Sequence, residues 1–424
     1  MMSVKEQDRQ AVTALRMLAV DMVEQAGSGH PGMPLGAAPM AWVLWSRVLR
    51  HNPSNPQWPD RDRFILSAGH GSALLYALLY LTGYALSQED LRAFRQWGSL
   101  TPGHPEYGHP LGVECTTGPL GQGFAMGVGM AIAEMQLAEQ INSVALLPVI
   151  DHYVYAIVSD GDLMEGVASE AASMAGHMRL GKLIYLYDNN GITIEGGTEL
   201  SFGEDVRRRF EAYGWQVLQV EDGEDLDEIE LMLHKARMEK NRPSLVMVRT
   251  VIGRGSPKAG SPAAHGAPLG PAGVARTREF YGWTHEPFHV PEVLLAHCRE
   301  MSTRGREVEA EWRSRVAGMR TNFPGDVDRL LARLADPLLD GGWRTVLEGF
   351  AFEERPVATR TVSGQVLNAL APVLPTLMGG SADLAPSNMT WLRGTVTGPG
   401  GMGARNLHFG VREHAMAAVS NGIA

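Results

Sequence analysis

An alternation beginning at Tyr153 constrains this chain more than any other feature. YVYAIVS is followed by EGVASEAASMAGHM, LIYLY, VRRRFEAY, WQVLQV, LDEIELMLHKARMEK and SLVMVRTVI, ending at Ile252. Short β-branched and aromatic runs take turns with stretches whose apolar residues recur every three or four positions. Such alternation leads to parallel strands joined by helical crossovers, because parallel neighbours cannot be linked by a tight hairpin. The predicted fold class is therefore α/β, a parallel sheet in a three-layer α/β/α arrangement.

Upstream, Ala11, Leu15, Leu18, Met22 and Ala26 share one face of a helix over residues 10–26, which GSGHPG stops. A second helix fits Leu35 to Leu49, before the loop HNPSNPQWPD and a short strand at Phe64 to Leu66. Ser87 and Asp90 have the spacing of a capping box ahead of LRAFRQW. SALLYALLYLTGYAL is shorter than the roughly 18 residues of a membrane span and reads as a core helix. Gly253 to Gly273 is a long Gly/Pro/Ser loop carrying one histidine, and a charged helical region runs from about Pro291 to Leu334. A new apolar-helical pattern opens after Arg355 with TVSGQVLNALAPVLP. The stretch from there to Ala424 is shorter than the roughly 100 residues of a typical α/β domain, so a second α/β domain looks cut off within a helix.

At 424 residues, two domains or parts of them are expected. A net charge of -10 argues against nucleic-acid binding, and Arg207, Arg208 and Arg209 read as a solvated helix face. Two cysteines, Cys115 and Cys298, make no disulfide framework, and the polar start MMSVKEQDRQ has no leader pattern. A reducing, cytoplasmic setting without membrane attachment is the expectation.

In open parallel sheets, ligands gather beyond the carboxyl ends of the strands. Asp160 ends YVYAIVS, and Asn189-Asn190 follow LIYLY, so adjacent strands would bring a carboxylate and an amide to one crevice. Oxygen donors of this kind select Mg²⁺ or Ca²⁺, and Mg²⁺ shares its shell with phosphate oxygens. Gly161 would let backbone approach those oxygens, with a helix starting near Met164 offering amide donors. Taken alone, the Asp-Gly and Asn-Asn-Gly sequences equally fit simple turns. Histidines in Gly/Pro loops accompany them: His30 in GSGHPG, His70 in LSAGHGS, His104 in TPGHPE and His265 in AAHGAPLG.

Ser159-Asp160-Gly161 up to Asn189-Asn190 resembles the thiamine diphosphate signature, with serine in place of its first glycine. DRFILSAGHGS, ECTTGPLGQG, GSADLAPSN and FGVREHAMAAVSNGIA resemble transketolase, and the likeness runs essentially end to end. This resemblance implies thiamine diphosphate held through Mg²⁺ (or Ca²⁺) by Asp160, Asn190 and the carbonyl of Ile192. It places His70, Gly118, Pro119, Leu120, Gly161 and His265 along the cofactor. It implies catalytic roles for Glu413, His30 and His265, with Glu413 in an apolar setting that raises its pKa. His30, His104 and His265 would contact the sugar, and Arg360 and Ser387 its phosphate. Glu165 and Glu170 would meet their symmetry mates in a homodimer whose sites lie between subunits.

The implied domains are 1–320 for diphosphate binding, 321–355 as a helical linker and 356–424 as a partial pyrimidine-binding domain. The implied reaction moves a two-carbon ketol unit from a ketose phosphate to an aldose phosphate, in the pentose phosphate pathway or Calvin cycle. Dihydroxyacetone synthase shares these motifs, and deoxyxylulose phosphate synthase shares fewer. An inactive cofactor-binding fragment is a further reading. Gly121, Gly123 and Gly127 imitate a dinucleotide fingerprint, but CTTGPL before them is a loop rather than the required strand, so close helix packing or approach to the cofactor explains them better.

Overall fold

Five parallel strands form the central sheet in a computed structural model that describes residues 3–142, 148–322, 325, 331–332, 336, 338, 341–351, 355–394 and 405–424. They are β1 (Arg63–Leu66), β2 (Val154–Ser159), β3 (Leu183–Asn189), β4 (Gln216–Val220) and β5 (Ser244–Arg249), in the order β1-β2-β3-β5-β4. β2 and β3 are direct neighbours, with Ser159 opposite Asp188, so their carboxyl ends coincide. The expected strand through Ile252 ends at Arg249, where the chain turns away and the Gly253 amide bonds the Gly32 carbonyl at 2.9 Å.

Side chains alternate across this sheet, and each face has its own core. Phe64, Leu66, Tyr155, Ile157, Ile184 and Leu186 pack against α1 (Val4–Ala26), α2 (Gly32–Val43) and α3 (Ser72–Thr82). Ile65, Val154, Ala156, Val158, Tyr185 and Tyr187 pack against the helices of the opposite layer. Burial on both faces explains why β2 reads as an unbroken apolar run. α1 begins earlier than its apolar spacing indicates, because the Ser3 side chain caps it, and Gly27 ends it with a left-handed φ of 65°. α2 starts three residues before Leu35 and relaxes into a π-helical turn at Leu44–Val48. The capping box of Ser87 and Asp90 is present at α4 (Gln88–Arg92).

The second layer is built from α5 (Gln122–Asn142), α6 (Asp160–Met164), α7 (Gly166–His177) and α8 (Val206–Ala212). The Arg207–Arg209 stretch is only partly solvated: Arg209 turns inward to bond the Leu163 carbonyl at 2.8 Å and lies over Phe202 and Phe210. α9 (Leu226–Met238) covers β4, and α10 (Pro271–Phe280) and α11 (Glu292–Asn322) come next along the chain. Much of the stretch expected to continue as helix to Leu334 lies outside the described residues.

Beyond α12 (Gly342–Glu348) come α13 (Thr359–Leu370), β6 (Gly379–Ser381), α14 (Ala385–Asn388), β7 (Asn406–His408) and α15 (Glu413–Ile423), with β6 and β7 paired in parallel. α15 lies directly on α5. A Cβ at Gly129 would sit 2.0 Å from the Val419 carbonyl oxygen, and one at Gly422 would sit 1.9 Å from that of Met126. The glycines opening α5 serve packing: a Cβ at Gly123 would meet the Ser67 backbone at 2.7 Å, and one at Gly127 the Tyr185 hydroxyl at 2.2 Å. Among the described residues, no helix is long and apolar enough to cross a membrane, and both cysteines are buried free thiols.

Candidate functional site

The carboxyl end of β2 turns straight into α6, so the helix starts at Asp160 rather than near Met164. Ser159 is its N-cap. Its hydroxyl accepts from the Asp162 amide at 3.3 Å, and the Asp162 carboxylate accepts from the Ser159 amide at 2.9 Å. A glycine there would lack that hydroxyl. Asp162, which sequence reasoning passed over, is fully buried and also accepts from the Ser67 hydroxyl at 2.6 Å and the Gly121 amide at 2.8 Å. It thereby joins the end of β1, the loop before α5 and the end of β2. The capping-box spacing Ser159-x-x-Asp162 was the available signal.

Asp160 lies beside the turn that follows β3. Its carboxylate accepts from the Tyr187 hydroxyl at 2.5 Å and from the Gly191 amide at 3.2 Å. Burial pushes its pKa up, opposed by the hydrogen bonds from Tyr187, Gly191 and the Asn190 backbone. Asn190 donates to Asp188 at 3.0 Å, and its side-chain oxygen accepts from the Ile192 amide at 3.0 Å. Asp188 is 1% exposed and also accepts from Thr250; burial pushes it up to about 7, and the neighbouring Asp160 adds to the rise. Neither Asp160 nor Asp188 has an ion pair with a Lys or Arg among the described residues. A buried Asp160 carboxylate without a Lys or Arg partner among the described residues, beside the Asn190 side-chain oxygen, suits a hard divalent ion. No three His, Cys, Asp or Glu side chains are grouped for a metal among the described residues, so its shell would need amide, carbonyl and ligand oxygens.

Gly161, Leu120 and Gly118 lie close to this donor set. A Cβ at Gly161 would meet Leu120 Cδ1 at 2.8 Å, so glycine lets the first turn of α6 lie against Leu120 without moving that side chain. Gly118 has a φ of 154°, with the His104 ring alongside, and Pro119 is exposed.

The four loop histidines come together at the same end of the sheet. His70 stands in a 3₁₀ turn after β1, and its ring centroid is 5.1 Å from those of both His30 and His265; His30 and His265 are 5.8 Å apart. The loop bearing His265 sits against the start of α2, where a Cβ on Gly32 would meet the Ala264 carbonyl oxygen at 2.4 Å. The loop bearing His104 is held by Ser72 and Tyr76, whose hydroxyls donate to Gly103 and Pro102 at 2.8 and 2.9 Å. Burial, then the neighbouring rings, lowers His30 to about 4 and His70 to about 3, and burial lowers His104 and His265. The group is thus uncharged at neutral pH. Nδ1 of His30 and Nδ1 of His265 are buried without a partner among the described residues, as expected of groups awaiting a polar ligand.

Glu413 opens α15, and the apolar setting expected for it belongs to a site between two subunits; in the single chain it is exposed. The physical reason is its position at the first turn, where Ala415, Ala418 and Val419 carry the buried face. That turn is pinned by residues the sequence did not single out. Gln122 Nε2 contacts His414 Nε2 at 2.8 Å, and Arg412 donates to the Ser173 hydroxyl at 3.1 Å. Glu170, expected at a subunit interface, accepts from the Ala415 amide of its own chain at 2.8 Å, while Glu165 is exposed. Arg360, in the first turn of α13, and Ser387, in α14, are exposed. Next to Ser387, the residues Asp383, Pro386, Trp391 and His408 help line a cavity of about 470 Å³.

A parallel sheet with oxygen donors at its carboxyl edge and a cluster of uncharged histidines at the same end defines the class as an α/β ligand-binding domain. Residues 7–338 match the family model "Transketolase, thiamine diphosphate binding domain", and residues 355–424 match "Transketolase, pyrimidine binding domain". The transketolase of Geobacillus stearothermophilus is 53% identical over 418 residues, covering 98% of this chain and 62% of that protein. That of Halalkalibacterium halodurans is 52% identical over 99% of this chain and 63% of its own length. Transketolase from Leishmania mexicana superposes with a TM-score of 0.94 at 41% identity, covering 100% of this chain and 62% of that one. The Pichia stipitis transketolase complex with sedoheptulose-7-phosphate does so at 0.92 and 43%, covering 99% and 63%. The chain belongs to the transketolase family and spans just under two thirds of the length of these relatives.

Proposed function

We propose that this chain binds thiamine diphosphate and a divalent cation as part of a transketolase. The observation that carries this reading is the convergence, at the carboxyl edge of β2 and β3, of the buried Asp160 carboxylate, which has no ion pair with a Lys or Arg among the described residues, and the Asn190 side-chain oxygen. Asp160, the Asn190 side-chain oxygen and the Ile192 carbonyl hold the metal, and Gly161 and Leu120 shape the path of the diphosphate. His70, Gly118, Pro119 and His265 line the rest of the cofactor.

When bound, thiamine diphosphate supplies the reactive ring carbon for moving a two-carbon ketol unit between sugar phosphates. The uncharged rings of His30, His104 and His265 orient substrate hydroxyls and take up or release protons there. Glu413 holds the proton that sets the tautomer of the aminopyrimidine, and Arg360 and Ser387 receive the substrate phosphate through charge-assisted hydrogen bonds. Residues 1–320 form the diphosphate-binding domain, 321–355 the linker and 356–424 the pyrimidine-binding portion. A second subunit buries Glu413 in a cytoplasmic homodimer.

Exposure of Glu413, Arg360 and Ser387 in the single chain favours one companion reading: the 424 residues bind cofactor and have little or no turnover alone. Two measurements test these proposals. Calorimetric titration with thiamine diphosphate should show Mg²⁺-dependent binding that Asp160→Ala abolishes; binding indifferent to both would refute the site. Xylulose 5-phosphate and ribose 5-phosphate should give little or no seven-carbon product, and rapid turnover would refute the companion reading.

A further inference from the structure

Asn190 offers a cation its side-chain oxygen only while the carboxamide is held one way round, because half a turn about its last bond presents the amino group instead. Its surroundings fix that choice. Both Asp188 oxygens are already accepting, one from the Thr250 hydroxyl and one from Asn190 Nδ2 at 3.0 Å. Asp188 therefore meets the amino side of the amide. On the other side, Asn190 Oδ1 accepts one bond from the Ile192 amide, leaving its second lone pair free. Thr250 stands just beyond β5, and its own amide bonds the Asn189 carbonyl at 3.2 Å, so the anchor comes from the neighbouring strand. Asp188 is buried in register with Ser159, beside Asp160, where it touches no solvent and serves no ion pair among the described residues.

We propose that Asp188, steadied by Thr250, is a positioning residue that sets the orientation of the Asn190 carboxamide and so presents its oxygen to the divalent cation. This rests on the function proposed above. Partners of metal ligands typically govern about 10- to 100-fold in metal affinity.

The test is Mg²⁺ titration of the chain at saturating thiamine diphosphate, read by calorimetry, with thermal stability measured separately in the absence of Mg²⁺. Asp188→Leu removes the acceptor at similar volume and should weaken Mg²⁺ binding by about 10- to 100-fold. Asp188→Asn should stay close to wild type, since its oxygen can face Asn190 while its amino group meets the Thr250 hydroxyl. Thr250→Val should produce a smaller loss in the same direction. Unchanged affinity in a folded Asp188→Leu overturns the inference, as does an equal loss in Asp188→Asn, which would make charge rather than orientation the cause. If Asp188→Leu does not fold, Thr250→Val decides, and wild-type affinity there overturns the inference. Wild-type protein that takes up no Mg²⁺ with thiamine diphosphate overturns the proposed function and this inference together.

Discussion

Replacing Asp162 with alanine removes the carboxylate that fastens three segments beneath the ligand site. It accepts from the Ser67 hydroxyl at 2.6 Å, the Gly121 amide at 2.8 Å, the Ser159 amide at 2.9 Å and the Ser159 hydroxyl at 3.0 Å. The two hydroxyls can rotate toward other acceptors, but the two main-chain amides cannot. Each buried donor left without a partner costs about 1–3 kcal/mol, for a total of about 2–6 kcal/mol; the Ser159 amide is the donor that the capping box loses, and the bond from the residue-162 amide to the Ser159 hydroxyl is kept. That is an upper bound, because removing a carboxylate whose pKa is raised by burial relieves some unfavourable desolvation. Asp162→Asn keeps the volume and one acceptor oxygen, and sets its amino group against one of the two sides, so about one donor is orphaned at about 1–3 kcal/mol. Urea titrations followed by circular dichroism, comparing midpoints at unchanged slope, measure both variants. An alanine variant within about 1 kcal/mol of wild type, or an asparagine variant less stable than the alanine one, would refute this reasoning.

Acid should act on His70 in a defined direction. Its folded pKa of about 3 lies below the ordinary 6.5, so the unfolded chain binds this proton first, and the stability it contributes is full above pH 6.5 and is lost as pH falls toward 3. The stability gap between wild type and His70→Asn should therefore shrink by about 1.4 kcal/mol per pH unit below pH 6.5, and a gap constant from pH 7.5 to 5 would contradict this. Gly129→Ala places a methyl group 2.0 Å from the Val419 carbonyl oxygen, which should cost about 1–3 kcal/mol and speed proteolysis of residues 355–424. Gly166→Ala, with nothing within 4 Å, serves as the control, and equal cleavage rates in the two variants would count against the close-contact argument.

Where pattern and burial coincide, the sequence was readable. Parallel strands with both faces covered announce themselves as apolar runs, and β2 and β3 fell where YVYAIVS and LIYLY placed them. Histidines in glycine-rich loops were conspicuous because such loops rarely serve the core. Asp162 was missed because a buried acceptor of main-chain amides looks like any turn aspartate until the loop before α5 is folded over it. Asp188 was passed over because it sits inside a strand, and only the approach of Thr250 from β5 reveals its task. For Glu413, local sequence says which helix carries the residue, but not which surface covers it, and in the single chain it is exposed.

The crossing of α5 and α15 has a consequence for how this protein tolerates change. Main-chain atoms approach closely there at Gly129 and Gly422, so two absent methyl groups set how near α15 lies to α5, while Glu170, Ser173 and Gln122 pin its first turn. One added carbon at either glycine would push α15 away from α5 and carry the Glu413 carboxylate with it.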